Sequence, residues 1–269
     1  MKKVLAALDA SFAVTPVLAA ALSLGDLLEA EVEAIHVTTD AGPTVERSAE
    51  AAGVPLRVVA GEVVERLVEA GEADDVAALV VGARGVPTDP RPLGTTARAV
   101  ATSVRKPVLI VPPDVAPPPT LRRILVPLEG TVSSSLAPAS LIELARNAQI
   151  EVVALHVLGS GDIPAFTDQP QHEHDAWAAE FLARYCPSGI GSVRLELRIG
   201  RAEDLVPRVA EESRSDLIAL GWARELAPGR APVVRAALER SGLPVLLVPV
   251  VSEPTMLSSG PGRTGASVG

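Results

Sequence analysis

Three glycines and two threonines form the group of residues with the clearest chemical meaning in this sequence. They stand in the segment GARGVPTDPRPLGTTARAV, which starts at Gly82 and contains Gly85, Gly94, Thr95 and Thr96. Glycine lets the backbone adopt positive φ and approach a bound group closely, and threonine hydroxyls add donors at the start of a helix. Such a turn favours a phosphate group as its ligand, while tight turning and helix entry remain the alternative explanation for the glycines.

A strand and a helix must hold this segment in place, and the surrounding sequence supplies both. The strands are continuous apolar runs, typical of parallel strands that helices cover on both faces. In such sheets ligands bind beyond the carboxyl ends of the strands, where helices begin. The pattern predicts strands at 3–8, 31–37, 55–60, 77–82 and 107–111, and helices at 15–30, 44–52, 61–72 and 94–105. The predicted fold is α/β, with a five-stranded parallel sheet flanked by helices.

The whole pattern occurs twice along the chain. Three motifs recur in the same order: LAALDA at 5–10 as LVPLEG at 125–130, EVEAIHV at 31–37 as EVVALHV at 151–157, and PVLIVP at 107–112 as PVLLVP at 244–249. The final strand of each copy is apolar and would leave unpaired backbone groups at a sheet edge. We therefore expect these two strands to lie side by side about a pseudo-two-fold axis, which makes the chain an intramolecular pseudo-dimer. Whether two chains form a further homodimer is left open.

Proline marks the boundary between the copies. A proline-rich stretch at 113–119 favours an extended linker, which separates a domain at 1–112 from a second domain at 120–251. Residues 252–269 are rich in serine, glycine and proline and predict a disordered tail.

Composition excludes several classes of partner. The net charge is −9 and aromatic residues make up 2% of the chain, so neither the cationic surface nor the stacking rings of a nucleic-acid-binding protein are expected. No run of residues has the length and apolarity of a membrane span.

A single cysteine, Cys186, cannot form an internal disulfide, and a reducing cytoplasm is the predicted compartment. The polar run from His172 to Asp175 has no identifiable partner ligands, so we predict no metal site there.

With these residues in view, the sequence resembles the universal stress protein family in its tandem form, from residue 3 to residue 250. The resemblance rests on Asp9 ending the first strand, Val37 ending the second, and Gly-x-x-Gly, a spacer and Gly-Thr after the fourth, followed by KPVLIVP. It implies two Rossmann-like domains of the adenine nucleotide alpha hydrolase-like type. ATP-binding members carry nine residues in the spacer, whereas eight separate Gly85 from Gly94 here.

The resemblance also implies roles for individual residues toward ATP, ADP or AMP. Asp9 contacts the ribose or adenine side, with a strand-end cap as its alternative role, and the backbone of Val37 reads the adenine edge. The phosphates are held by the remaining residues of the set: the amides of Gly82, Gly85, Gly94 and Thr95, the hydroxyls of Thr95 and Thr96, and the positive charge of Arg84. An acidic residue in the spacer, Asp89, repels a triphosphate unless it faces solvent or binds Mg²⁺.

The second copy has lost this pattern. Arg224 replaces the second glycine, Arg230 follows Gly229 where a hydroxyl residue belongs, and Glu129 replaces the aspartate of the first strand. Trp222 adds a large ring to the turn. We predict that this site is closed or takes another ligand, with a structural role in pairing with the first copy.

Two functions follow from these observations. The first is binding of ATP or another adenine nucleotide by the N-terminal domain, in stress response or signalling. The sequence lacks the Gly-Lys-Ser/Thr element of a P-loop NTPase and an obvious water-activating residue, so at most slow ATP hydrolysis is expected. A nucleotidyl-transfer enzyme on a related fold is disfavoured because its histidine cluster is missing. The alternative is an adaptor that binds no nucleotide and works through protein partners that the sequence does not identify.

Overall fold

The protein is described by a computed structural model that covers residues 1–11, 13–38, 42–84, 93–128, 132–158, 193–227 and 229–250. The first copy contains β1 (Lys3–Leu8), α1 (Val14–Leu28), β2 (Glu31–Val37), α2 (Gly42–Ala51), β3 (Leu56–Val59), α3 (Val63–Glu72), β4 (Val76–Gly82), α4 (Thr95–Ser103) and β5 (Val108–Val111). The second copy contains β6 (Arg123–Pro127), α5 (Val132–Asn147), β7 (Glu151–Leu158), β8 (Val193–Ile199), α6 (Ala202–Glu212), β9 (Leu217–Trp222), α7 (Pro232–Arg240) and β10 (Val245–Pro249). The predicted elements of the first copy are all present, with ends that differ by up to two residues.

The strands read as continuous apolar runs because both faces of the sheet are buried. In β1, Val4 and Ala6 belong to a core on one face, while Leu5 belongs to a second core on the other face. Successive side chains of a strand point to opposite faces, so a strand covered on both sides needs apolar residues at every position. Each core continues through both copies: Val4 shares its core with Ile124, and Leu5 shares its core with Leu125. The two copies are therefore packed as one body.

All ten strands form a single sheet in the order β3-β2-β1-β4-β5-β10-β9-β6-β7-β8. The strands within each copy are parallel, and β5 and β10 join the copies as an antiparallel pair. Leu109 pairs with Leu246, its own equivalent in the repeat, and the neighbouring pairs lie symmetrically on either side. A local pseudo-two-fold axis therefore passes through this pair, which confirms that the final strands lie side by side. The two predicted five-stranded sheets are halves of one sheet.

Two hydrogen bonds from buried side chains to backbone carbonyls connect distant parts of the chain. One joins the two copies, and the other joins the linker to the first copy. The indole nitrogen of Trp222, whose residue is 1% exposed, donates to the carbonyl oxygen of Ala101 in α4 at 2.9 Å. The hydroxyl of Ser23 in α1 donates to the carbonyl oxygen of Pro118 at 2.6 Å, which ties the linker to the first copy. Trp222, in the degenerate turn of the second copy, thus contacts the first copy.

Within the described ranges, no helix has both the length and the apolar character needed to cross a membrane. The predicted disordered tail at 252–269 and the polar run from His172 to Asp175 lie outside these ranges.

Candidate functional site

A cavity of about 360 Å³ opens at the carboxyl ends of β1, β2 and β4, beside the first turn of α4. Parallel strands end at the same edge of a sheet, and the helices that follow them begin there, so this edge gathers residues that are distant in sequence. Seven of the eight predicted site residues line the cavity: Asp9, Val37, Gly82, Arg84, Gly94, Thr95 and Thr96. The eighth, Gly85, lies outside the described residues.

The N-terminus of α4 forms one wall of this cavity. Gly94 is the N-cap, with extended backbone at φ −60° and ψ 154°, and its residue type provides no side chain to cap the helix. The first hydrogen bond of the helix runs from the Arg98 amide to the Gly94 carbonyl at 2.9 Å. The amides of Thr95, Thr96 and Ala97 precede that bond and have no partner within the helix. Together with the positive end of the helix dipole, these amides make this wall attractive to an anion.

The two described glycines of the motif act through close packing. A Cβ atom on Gly82 would lie 2.9 Å from the Cβ of Ala13, at the start of α1. A Cβ atom on Gly94 would lie 3.1 Å from the carbonyl oxygen of Ala83. The Gly94 amide already donates to that same oxygen at 2.8 Å. The family resemblance assigns this amide to a phosphate, whereas the structure uses it to hold α4 against the end of β4. In the first turn of α4, the amides of Thr95–Ala97 are left without a partner in the helix.

Arg84 brings a buried cation to the cavity. Its side chain is 7% exposed, and its Nη2 lies 3.6 Å from Oδ1 of Asp114 in the linker. The carboxylate of Asp114 balances part of the guanidinium charge, and a phosphate in the cavity would compete for the same group. Arg84 therefore connects the candidate site to the segment between the copies.

Asp9 shapes the turn between β1 and α1. Its Oδ1 accepts hydrogen bonds from the amide of Ser11 at 3.1 Å and from the Ser11 hydroxyl, which in turn accepts from the Ala13 amide at 3.1 Å. The structure thus shows the strand-end cap given above as the alternative role of Asp9. A carboxylate has a second oxygen with its own acceptor capacity, so this cap does not exhaust the side chain.

His36 lines the cavity and was not among the predicted site residues. It is 8% exposed, and its Nδ1 lies 2.7 Å from the carbonyl oxygen of Leu8. A carbonyl only accepts, so Nδ1 carries the proton in this hydrogen bond. In the second copy, Nδ1 of His156 lies 2.9 Å from the Leu128 carbonyl oxygen. The repetition shows that this histidine holds neighbouring strand ends together, and the matching EVEAIHV and EVVALHV motifs were the signal for it.

The second copy has a cavity at the equivalent edge, with a volume of about 550 Å³. The prediction that this site is closed is therefore wrong, and its alternative of another ligand remains. The helix starts also correct the alignment of the copies: α7 begins 137 residues after α4, so Ala231 is the equivalent of Gly94, and Gly229 lies before it. Pro232 takes the place of Thr95. The N-terminus of α7 thus differs in backbone chemistry from that of α4.

The universal stress protein family model matches residues 44–112 and 120–249, which together make up more than half of the chain. No curated protein sequence matches this chain. Among solved structures, a functionally unknown protein from Pseudomonas aeruginosa has a TM-score of 0.67 at 14% identity, with 93% of each chain covered. A universal stress protein from Archaeoglobus fulgidus has a TM-score of 0.64 at 19% identity, with 92% of this chain and 96% of that chain covered. These similarities show the fold.

A third structure, a universal stress protein in complex with cAMP, matches over a shorter length. It covers 49% of this chain and 98% of its own, with 19% identity and a TM-score of 0.39.

Proposed function

Because the chain belongs to the universal stress protein family, we propose that its N-terminal domain binds ATP or another adenine nucleotide in stress response or signalling. One observation carries this proposal: seven residues selected from sequence for nucleotide binding line a single cavity at an uncapped helix N-terminus. Its volume of about 360 Å³ falls within the range of small-molecule sites in proteins.

The phosphates bind at the start of α4 in this proposal. The amides of Thr95, Thr96 and Ala97 donate to phosphate oxygens, and the two threonine hydroxyls add further donors. Arg84 supplies a cation from the inner side of the cavity and shares its charge between Asp114 and the phosphates. Any Mg²⁺ arrives with the nucleotide, because Mg²⁺ in such sites is held largely by phosphate oxygens and water. Gly82 and Gly94 contribute by allowing the close packing that shapes this wall.

The base and sugar bind toward the ends of β1 and β2. Val37, Val63 and Leu67 form an apolar wall against which a flat adenine ring can pack. The backbone of Val37 reads the adenine edge, and the Asp9 oxygen that is not used by Ser11 accepts from a ribose hydroxyl. We assign the lining residues roles in nucleotide binding and none in catalysis, so we propose at most slow ATP hydrolysis.

The proposal extends to the organisation of the chain and its surroundings. Residues 1–112 and 120–251 are the two domains, 113–119 the linker and 252–269 a tail. The protein acts in the cytoplasm, where Cys186 stays reduced, through protein partners still to be identified.

We expect ATP to raise the melting temperature of the wild-type chain. At a ligand concentration one hundred times the dissociation constant, binding adds about 2.7 kcal/mol to the free energy of unfolding. For a chain of this size that corresponds to a rise of roughly 5–10 °C, which differential scanning fluorimetry resolves. Calorimetry with ATP and with AMP then separates the contribution of the phosphates from that of the base and sugar.

Gly94→Val provides the variant for this experiment. The added side chain must pass the carbonyl oxygen of Ala83, and it moves the start of α4 away from its position beside β4. The melting temperature of this variant should no longer respond to ATP. A wild-type protein with no thermal shift, no heat on ATP addition and no nucleotide in its denatured extract would instead favour the adaptor function.

A further inference from the structure

The cavity of the second copy is built from the same elements as that of the first copy. It lies at the carboxyl ends of β6, β7 and β9, beside the first turns of α6 and α7. Its volume is about 550 Å³, compared with about 360 Å³ for the first cavity. The repeat therefore allows a comparison of the two walls, residue by residue, at equivalent positions.

The groups that suit a phosphate in the first copy are replaced in the second. Pro232 stands where Thr95 stands in α4, and proline has neither an amide hydrogen nor a hydroxyl. Val233 replaces Thr96 and removes the second hydroxyl. Ala223 replaces Arg84, because Gly221 and Gly82 occupy equivalent positions at the ends of β9 and β4. This cavity has thus lost the buried cation and part of the donor set at its helix N-terminus.

The walls of this cavity are apolar, as they are at Leu8, Leu67 and Val81 in the first cavity, so the two cavities differ mainly in the polar groups just described. Leu128, Leu155, Val206, Leu220 and Trp222 are all buried core residues that also face the cavity. Such walls favour a ligand that gains by leaving water, and they penalise a charged ligand because its lost hydration is not replaced.

The charged residues that the structure describes around this cavity lie at its rim. Among its described lining residues, the charged ones are Glu225 and Arg230, each more than half exposed. Their closest charged atoms are 3.7 Å apart, so they largely neutralise each other. Among the described lining residues, the buried ones therefore carry no charge toward a ligand.

We infer that the second copy holds a binding site for an uncharged, mainly apolar small molecule, where the first copy binds a nucleotide. The repeat then supplies two sites of different chemistry on one sheet. This inference concerns the second cavity alone and does not depend on nucleotide binding in the first.

The test uses the neutral fluorescent probe N-phenyl-1-naphthylamine with the full chain. We expect saturable fluorescence enhancement with the wild type, unchanged by saturating ATP. Val233→Phe fills the second cavity and should weaken probe binding at least tenfold. Thr96→Phe places the same ring at the equivalent position of the first cavity and should leave probe affinity within twofold of wild type. Melting curves establish that both variants are folded.

Ala223→Arg is the second variant, chosen because Ala223 is exposed and the change restores the residue type of the first copy. A cation beside the apolar walls should again weaken probe binding at least tenfold, without removing space from the core. Absence of saturable binding to the wild type would overturn the inference. Loss of binding in Thr96→Phe, with retention in Val233→Phe and Ala223→Arg, would overturn it as well, because the probe would then occupy the first cavity.

Discussion

Trp222→Ala is expected to lower the free energy of unfolding of the whole chain by about 3–5 kcal/mol. The indole ring is buried at the contact between the two copies, and its removal leaves a large void in a core that both copies share. The Ala101 carbonyl also loses its donor. In a continuing helix the amide of Arg105 would donate to this carbonyl, but it donates to the Glu72 carboxylate instead. Trp222 therefore supplies the hydrogen-bond donor for the Ala101 carbonyl near the end of α4.

Urea unfolding measures this effect, and Trp222→Phe is the matched control. Phenylalanine keeps most of the apolar volume but cannot donate, so it isolates the cost of the buried, unpaired carbonyl, about 1–3 kcal/mol. Both variants should unfold in one transition, because the cores on both faces of the sheet continue from one copy into the other. A second transition in the wild type, or a loss below about 1 kcal/mol in Trp222→Ala, would contradict the shared core.

Thr95→Glu is expected to weaken ATP binding by about tenfold or more while leaving the fold at least as stable as wild type. A carboxylate in the first turn of α4 interacts favourably with the helix dipole, by about 0.3–1 kcal/mol. The same carboxylate repels a triphosphate at that turn. Near a protein surface, two like charges 4 Å apart repel each other by roughly 4 kcal/mol. Thr95 is exposed, so the larger side chain fits without displacing core residues.

The opposite signs of these two effects make the variant informative. Thr95→Gln carries a side chain of the same shape without the charge and should bind ATP far better than Thr95→Glu. Isothermal calorimetry gives the affinities, and thermal melting gives the stabilities. Equal ATP affinity for Thr95→Glu and Thr95→Gln would show that the phosphates bind away from α4.

The sequence predicted the strands of the first copy well because burial on both faces leaves an unbroken apolar run. It also predicted the adjacency of β5 and β10, since an apolar final strand needs a partner at its open edge. The sequence did not reveal that the pair makes one continuous sheet with cores common to both copies. That outcome depends on how the elements of the two copies pack against each other in space, which the local pattern does not encode.

The candidate site, like the fold, was predicted only in part from the sequence. Glycine and threonine spacing located the turn, and the resemblance to the universal stress protein family added Asp9 and Val37 at neighbouring strand ends. Non-local contacts could not be found from spacing: Asp114 next to Arg84, and the Ala83 carbonyl that engages the Gly94 amide. In the second copy, motif alignment placed Gly229 at the helix start, whereas the chain reaches that position at Ala231 in a left-handed conformation, with φ 45°.

Backbone amide NMR during an ATP titration tests the central claim most directly, because it observes the proposed phosphate donors themselves. The amide signals of Thr95, Thr96 and Ala97 should shift progressively and saturate with ATP, with smaller shifts for AMP, while those of Val233 and Val234 in the second copy stay in place. Saturable ATP binding that leaves the Thr95–Ala97 amides unmoved would contradict a phosphate site at the start of α4.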